Sequence, residues 1–406
     1  MKIKRLKHLC QDAGQYGYNW PASDYVPEGE GLRLLRTTDL KPGGLLPASE
    51  GIFVPLPVPE EFLLRPNDIL LSRSGTVGRS YLVPDDAAGS TFAGFLVRFR
   101  PRPDVDARYV AYALSSTPVQ GQIQAEAITS TIQNFNAERY ANLSIWTPRL
   151  DEQRRIADFL DEQVSLIDRA VELRRRQHDL LLASLHSAAS HLLHSPCADG
   201  ETLVPLRRVV SRIKTGTTPA ADQQWVWGEE AESGATPWLS PQCISEWDMT
   251  VGTASKYVRR GAAHLLPAFP ARSTVVVGIG SVGRVAYLEE PATGNQQLTC
   301  IEPSASVTPR FLTWSLWARQ QMMQLTAPYT TMPILNNEFL LSVPVTLPSH
   351  KVQKEIVDVL DARMLEVVRA RRSLERWNSL AVERRSELIT AVVTGHFDVT
   401  TARAVA

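Results

Sequence analysis

Apolar and polar positions alternate between two regimes along the chain. From Asp151, and again from Lys351, charged and apolar residues mix at steps of three and four, with no Pro or Gly for about 40 residues. That spacing puts the apolar residues on one stripe of a helix. The first stripe is Ile156, Leu160, Val164, Ile167, Val171, then Leu181, Leu185, Ala188 and Leu192. The second is Ile356, Leu360, Met364, Val367, then Leu374, Ala381, Leu388 and Val392. Arg174 and His178 interrupt the first seam; Arg371, Asn378 and Arg385 interrupt the second. A helix of this size is roughly 60 Å long, at about 1.5 Å per residue. One apolar stripe of that length needs a partner. The expectation is that the two helices pair antiparallel as a coiled coil; the alternative is that each folds back on its own globule.

The regions ahead of the helices are rich in Pro, Gly and short apolar runs, which predicts strands with a few short helices. The expected fold is therefore mixed α/β (α+β). Residues 1–150 form a first globular domain, 151–195 a first long helix, 196–350 a second domain, and 351–406 a second long helix and tail. Three matched segments recur in the same order about 200 residues apart, the mark of an internal duplication. Asp68-Ile-Leu-Leu-Ser-Arg-Ser-Gly-Thr-Val-Gly-Arg79 answers Thr274-Val-Val-Val-Gly-Ile-Gly-Ser-Val-Gly-Arg284. Thr131-Ile-Gln-Asn-Phe-Asn-Ala-Glu138 answers Thr331-Met-Pro-Ile-Leu-Asn-Asn-Glu338, each before a strand that closes on Pro148 or Pro348. Glu152-Gln-Arg-Arg-Ile-Ala-Asp-Phe-Leu-Asp161 answers Val352-Gln-Lys-Glu-Ile-Val-Asp-Val-Leu-Asp361.

Composition narrows the class. At 44% hydrophobic and 21% charged residues, the 406-residue chain is neither disordered nor fibrous. No apolar run reaches membrane-spanning length, and the basic start MKIKRLKHLC has no apolar segment behind it. Cys10, Cys197, Cys243 and Cys300 are scattered, as expected for reduced thiols in a cytoplasmic protein. Forty-three basic residues balance 43 acidic ones. This lack of basic excess counts mildly against a nucleic-acid binder, unless the basic groups cluster locally or partners supply phosphate contacts.

Further local patterns are Ile213-Lys-Thr-Gly-Thr-Thr-Pro219, then Pro237-Trp-Leu239, Leu150-Asp-Glu-Gln-Arg-Arg-Ile-Ala157, and the ending Leu388-Ile-Thr-Ala-Val-Val-Thr-Gly-His-Phe-Asp398. With the two Gly-Ser/Thr-Val-Gly-Arg segments and the domain–helix–domain–helix order, the chain resembles, over nearly its whole length, the specificity subunit of type I restriction–modification enzymes. The resemblance implies two target-recognition domains, each reading one half of a split, asymmetric site on double-stranded DNA. It implies helices that set the gap between the halves and dock adenine-methyltransferase modification subunits, two of them. Restriction/translocase subunits are the further implied partners.

The readers expected on this basis are loop residues. Arg73, Ser74, Thr76 and Arg79 lie in the first glycine-rich turn, and Ser281 and Arg284 in the second. Thr129, Thr131, Gln133 and Asn134 lie in one polar loop, and Thr330, Thr331 and Asn336 in its counterpart. Thr217 and Gln297 complete the set. Gln and Asn can hydrogen-bond adenine in two places, and Arg suits guanine or phosphate. Ordinary turn chemistry explains the same residues without DNA. Gly278-Ile-Gly-Ser-Val-Gly283 also fits a dinucleotide-binding fingerprint. That motif needs a helix after it, whereas Arg284-Val-Ala-Tyr-Leu288 is β-like and the other copy lacks the first glycine; a tight strand–strand turn is expected instead. The basic openings, Lys2 to Lys7 and Arg207 to Lys214, read as solvated faces, and Trp225 and Trp227 as core. His186, His191 and His194 with Cys197 do not make a closed zinc set.

No Asn/Asp-Pro-Pro-aromatic loop, nuclease metal cluster or Gly-Lys-Ser/Thr phosphate loop occurs in the sequence. The expectation is a non-catalytic subunit without a cofactor or metal. A nucleotide-dependent enzyme using residues 278–283, and a coiled-coil scaffold without a DNA role, are the competing classes.

Overall fold

A computed structural model describes residues 2–41, 44–75, 77–128, 135–194, 203–229, 233–254, 256–326 and 334–399. The chain divides into two units, residues 1–174 with 375–406, and residues 175–374.

The first unit is built on a four-stranded antiparallel sheet, in the order Gln15–Tyr16, Leu96–Phe99, Ile69–Ser72, Ser80–Leu82. Beside it, Leu32–Leu35 pairs antiparallel with Ile52–Val54 and parallel with Thr91–Phe92. A short pair, Ile3–Arg5 with Ser144–Trp146, joins the domain's beginning to its end. The four residues of Ile69–Ser72 are all buried because both faces are covered. One face meets Tyr109, Val110 and Leu114 of the helix Ala107–Ser115; the other packs on Leu35, Val83 and Phe92.

The second unit repeats this plan. Its sheet runs Val210–Thr215, Leu298–Pro303, Thr274–Val277, Val285–Tyr287. Thr236–Leu239 takes the place of Leu32–Leu35, again parallel to a short strand, Thr293–Gly294. Leu203–Pro205 pairs with Pro344–Thr346, and the helix Pro309–Trp317 covers the sheet with Phe311, Leu312 and Trp314.

Both long helices are continuous, Leu150–His194 and His350–Val393, and the unit boundary passes through the middle of each. Within the first unit, Ile156, Leu160 and Val164 share a core with Ile389, Val392 and Val393. Further along, Asp168 meets Arg385 at 3.4 Å and Arg174 lies over the Trp377 ring at 5.3 Å. One helix ascends as the other descends, so the pairing is antiparallel. Within the second unit, Leu185, Ala189 and Leu193 share a core with Ile356, Leu360, Met364 and Val367. Two details of the expected seam change. The deepest positions near its end are Ala189 and Leu193, one residue on from Ala188 and Leu192. His178 does not break the seam; it is buried with its ring edge-on to Trp247.

The repeated Gln of the third matched segment has a plain physical reason. Gln153 Nε2 donates to the Pro148 carbonyl at 2.9 Å, and its Oε1 accepts from the Asp106 amide at 3.0 Å. Gln353 does the same with the Pro348 carbonyl at 2.9 Å and the Thr308 amide at 2.7 Å. Each buried amide fastens a long helix to the globule before it. Asp161 and Asp361 add a second fastening. Asp161 accepts from Arg108 and Tyr112, both at 2.7 Å, and Asp361 from Arg310 and Trp314 at 2.9 and 2.8 Å.

No helix among the described residues is long and apolar enough to cross a membrane. Trp225 does not enter the core as expected: it is 55% exposed, while Trp227 lies edge-on to Trp238.

Candidate nucleic-acid interface

Each glycine-rich segment is the turn of an antiparallel hairpin. Leu71 faces Ser80 in the first, and Val276 faces Val285 in the second. The Gly78 amide reaches back to the Ser72 carbonyl at 3.2 Å, and the Gly283 amide to the Val277 carbonyl at 2.9 Å. Gly75 and Gly78, like Gly280 and Gly283, have φ between +71° and +85°, the left-handed region that a side chain disfavours. A strand follows the turn in both copies, so no helix N-terminus receives a phosphate there, and the dinucleotide reading fails on geometry. In the first copy the Tyr140 hydroxyl also closes the neck, donating to the Ser72 carbonyl at 2.6 Å and accepting from the Gly78 amide at 2.8 Å. Burial pushes that phenol above its ordinary range, which keeps it protonated as a donor.

Three more segments gather at each hairpin through matching backbone bonds. The Arg73 amide donates to the Phe95 carbonyl at 3.0 Å, and the Gly278 amide to the Gln297 carbonyl at 2.7 Å. The Phe135 amide donates to the Arg73 carbonyl at 3.0 Å, and the Leu335 amide to the Gly278 carbonyl at 2.8 Å. The Tyr18 amide meets the Phe92 carbonyl at 3.0 Å, and the Thr217 amide the Gly294 carbonyl at 2.7 Å. Gly17 and Gly216 make the last approach possible: a Cβ would lie 2.3 Å from Phe92 O in one copy and 2.2 Å from Gly294 O in the other. The result in each unit is one surface on which the hairpin, the turn after the first sheet strand, the turn before Leu96 or Leu298, and the end of the polar loop come together.

The expected readers are distributed unevenly over these surfaces. Arg73 is half-buried, with its guanidinium 4.6 Å over the Tyr16 ring and Nη1 donating to the Gly94 carbonyl at 3.2 Å. Arg79 is exposed and bonds the Leu40 carbonyl at 3.1 Å. The Ser74 carbonyl accepts from the Ser72 hydroxyl at 3.0 Å. The half-buried Arg284 pairs with the exposed Glu246. Ser281 is exposed on the hairpin, and Thr217 presents its side chain outward while its backbone is engaged. Gln297 is held by Asn295 at 2.9 Å. Asn336 caps the short helix Asn337–Ser342, accepting from the Phe339 amide at 2.7 Å. Asn136 caps Ala137–Ala141 in the same way, so a short helix stands between each polar loop and the strand after it. Thr76, Thr129, Thr131, Gln133, Asn134, Thr330 and Thr331 lie outside the described residues.

Sequence reasoning missed Tyr18, Phe95, Thr218 and Gln296. Phe95 is 57% exposed and Tyr18 45% exposed, in the places where the second copy has Gln297 and Thr217. Thr218 donates to Gln296 on the second surface. Carrying the repeat one step beyond Gln297 to its counterpart would have found Phe95. Among the described residues, no group of three His, Cys, Asp or Glu could hold a metal. His186 instead stacks on Trp317 at 4.0 Å.

Comparison with known proteins agrees with this architecture. The family model for the type I restriction modification DNA specificity domain matches residues 59–174 and 210–367. The chain belongs to that family and carries its domain twice. The specificity subunit of the type I restriction enzyme MjaIX from Methanocaldococcus jannaschii is 24% identical over 163 residues, 37% of this chain and 35% of the relative. The match thus spans about a third of that relative's length. A chain of a type I R-M system, solved in work on its complex assembly and conformational transition, superposes with a TM-score of 0.70 at 15% identity, covering 97% of each chain. The HsdS subunit from Thermoanaerobacter tengcongensis gives 0.48 at 16% identity, covering 98% of this chain and 97% of that one.

Proposed function

We propose that this chain is the DNA-specificity subunit of a type I restriction–modification system. Its two globules, residues 1–150 and 196–350, each read one half of a bipartite, asymmetric site on double-stranded DNA. The observation that carries this reading is the pair of matching loop surfaces with different side chains. The backbone bonds that assemble them are the same, while Tyr18 and Phe95 stand on one surface where Thr217 and Gln297 stand on the other. A common frame with divergent tips suits two readers of different base pairs.

The readers proposed among the described residues are Arg73, Ser74, Arg79, Thr217, Ser281, Arg284, Gln297 and Asn336. The polar loops contribute Thr129, Thr131, Gln133, Asn134, Thr330 and Thr331, and the first turn Thr76. The helices, residues 151–195 and 351–406, act as the spacer and dock two adenine-methyltransferase subunits in the cytoplasm. Methyl transfer, cleavage and ATP use belong to those partners and to restriction/translocase subunits; the chain itself is non-catalytic.

Methylation mapping across the genome of the source strain, with and without this chain, tests the reading. Deletion is expected to abolish adenine methylation at one gapped motif and to spare all others. An unchanged methylation map would sink the proposal.

A further inference from the structure

A cavity of about 300 Å³ opens beside the first hairpin, on the segment that carries Phe95. Its walls include four aromatic rings, Tyr18, Trp20, Tyr25 and Phe95, with Asn19 and Thr37 as polar groups between them. Tyr18 and Trp20 lie with ring centroids 4.9 Å apart. Arg36 also lines the cavity, but Asp39 holds its Nε and Nη2 at 3.1 and 2.8 Å. The guanidinium charge is therefore matched already, and the cavity favours a neutral guest over a phosphate.

The second unit treats the corresponding place differently. Trp238 stands where the first has Leu34, since each lies opposite the equivalent residue of the parallel strand, Thr293 and Thr91. Its indole N–H is satisfied by the Thr217 carbonyl at 3.1 Å, and its ring packs edge-on to Trp227 at 5.3 Å. Where the second unit has an indole paired with its own backbone, the first has an open aromatic cavity.

We infer that the cavity of the first unit binds one unstacked nucleobase, held against the aromatic rings and hydrogen-bonded by Asn19 and Thr37. The volume stands at the lower end of the range for organic ligand sites. Flat apolar walls suit the π-face of a base, and the few polar groups suit its edge. The base has two possible sources, an extruded nucleotide of the bound duplex or a free nucleoside. Position favours the duplex: the Phe95 carbonyl holds the Arg73 amide at the hairpin's entrance. The duplex form of the inference rests on the DNA-reading function proposed above.

Two arms test it on the full chain with its methyltransferase partners. In the first, equilibrium binding is measured for duplexes carrying the mapped motif, with a single mismatch placed at each position in turn. A mismatch lowers the cost of extrusion, so one position of the half-site read by the first unit should bind about tenfold tighter, while mismatches elsewhere weaken binding. Thr37→Trp, which fills the cavity, and Phe95→Gln, which removes an exposed wall and leaves the core intact, should each abolish that gain. In the second arm, equilibrium dialysis with tritiated adenosine, guanosine, cytidine and thymidine asks whether free nucleosides bind and whether Thr37→Trp displaces them. Binding in this arm alone would support the cavity as a site for a free nucleoside. Site-specific duplex binding with no tightened position, together with no nucleoside retention, overturns the inference and leaves the DNA-reading function standing. Loss of site-specific binding altogether counts against that function, and the nucleoside arm then decides the cavity by itself.

Discussion

At the residue scale, the two copies differ in side chains that the backbone treats as interchangeable. Gly216 is fixed by close approach: a Cβ would stand 2.2 and 2.3 Å from two backbone carbonyl oxygens. Neither can move without breaking the turn, so Gly216→Ala should destabilise the second unit by about 2 kcal/mol. Urea unfolding followed by tryptophan fluorescence would detect it, and an unchanged midpoint would disprove the close packing. His186 gives a pH dependence. One face of its ring is covered by Trp317, and this partial burial lowers its pKa from 6.5. A base whose folded pKa is depressed binds fewer protons folded than unfolded, so stability is full above pH 6.5 and falls as the pH drops through 6.5 towards the folded value. His186→Phe keeps the stacking and removes the proton. Its melting temperature should decline less than the wild type's between about pH 7.5 and about pH 5.5; parallel declines would show that His186 contributes nothing.

At the element scale, the long helices were the most legible part of the chain. Their apolar period and freedom from Pro and Gly placed their starts, Asp151 and Lys351, one residue after the observed Leu150 and His350. The hairpins were also legible, because glycines at positive φ leave a fixed imprint when both copies can be compared. The short capped helices Ala137–Ala141 and Asn337–Ser342 were not. At five and six residues they carry too little periodicity to stand out, and their cap residues, Asn136 and Asn336, resemble base readers in a polar loop. The exposed aromatic residues of the first surface escaped for another reason. An exposed Phe95 and a buried Phe92 look alike in sequence, and only strand register separates them. The fastening of helix to globule makes a test at this scale. Gln353→Leu leaves the Thr308 amide and the Pro348 carbonyl without their partner, at a cost of about 1–3 kcal/mol. A thermal melt should show the loss, and a melt indistinguishable from wild type would remove Gln353 as a fastener.

At the scale of the whole molecule, duplication of the frame leads to a prediction about modularity. Replacing residues 1–150 with the equivalent part of another member of the family should change one half of the methylated motif and leave the other half intact. Methylation mapping of the hybrid reads this directly, and a change in both halves would argue against independent readers. The division into units carries one more consequence. Residues 175–374 form the second unit from an uninterrupted stretch of chain, whereas the first needs residues from both sides of it. On the ribosome, Ile156, Leu160 and Val164 emerge early but meet Ile389, Val392 and Val393 only after the whole second unit has been made. The copy synthesised second is therefore the first able to finish folding, and the nascent first copy must wait with part of its apolar surface bare.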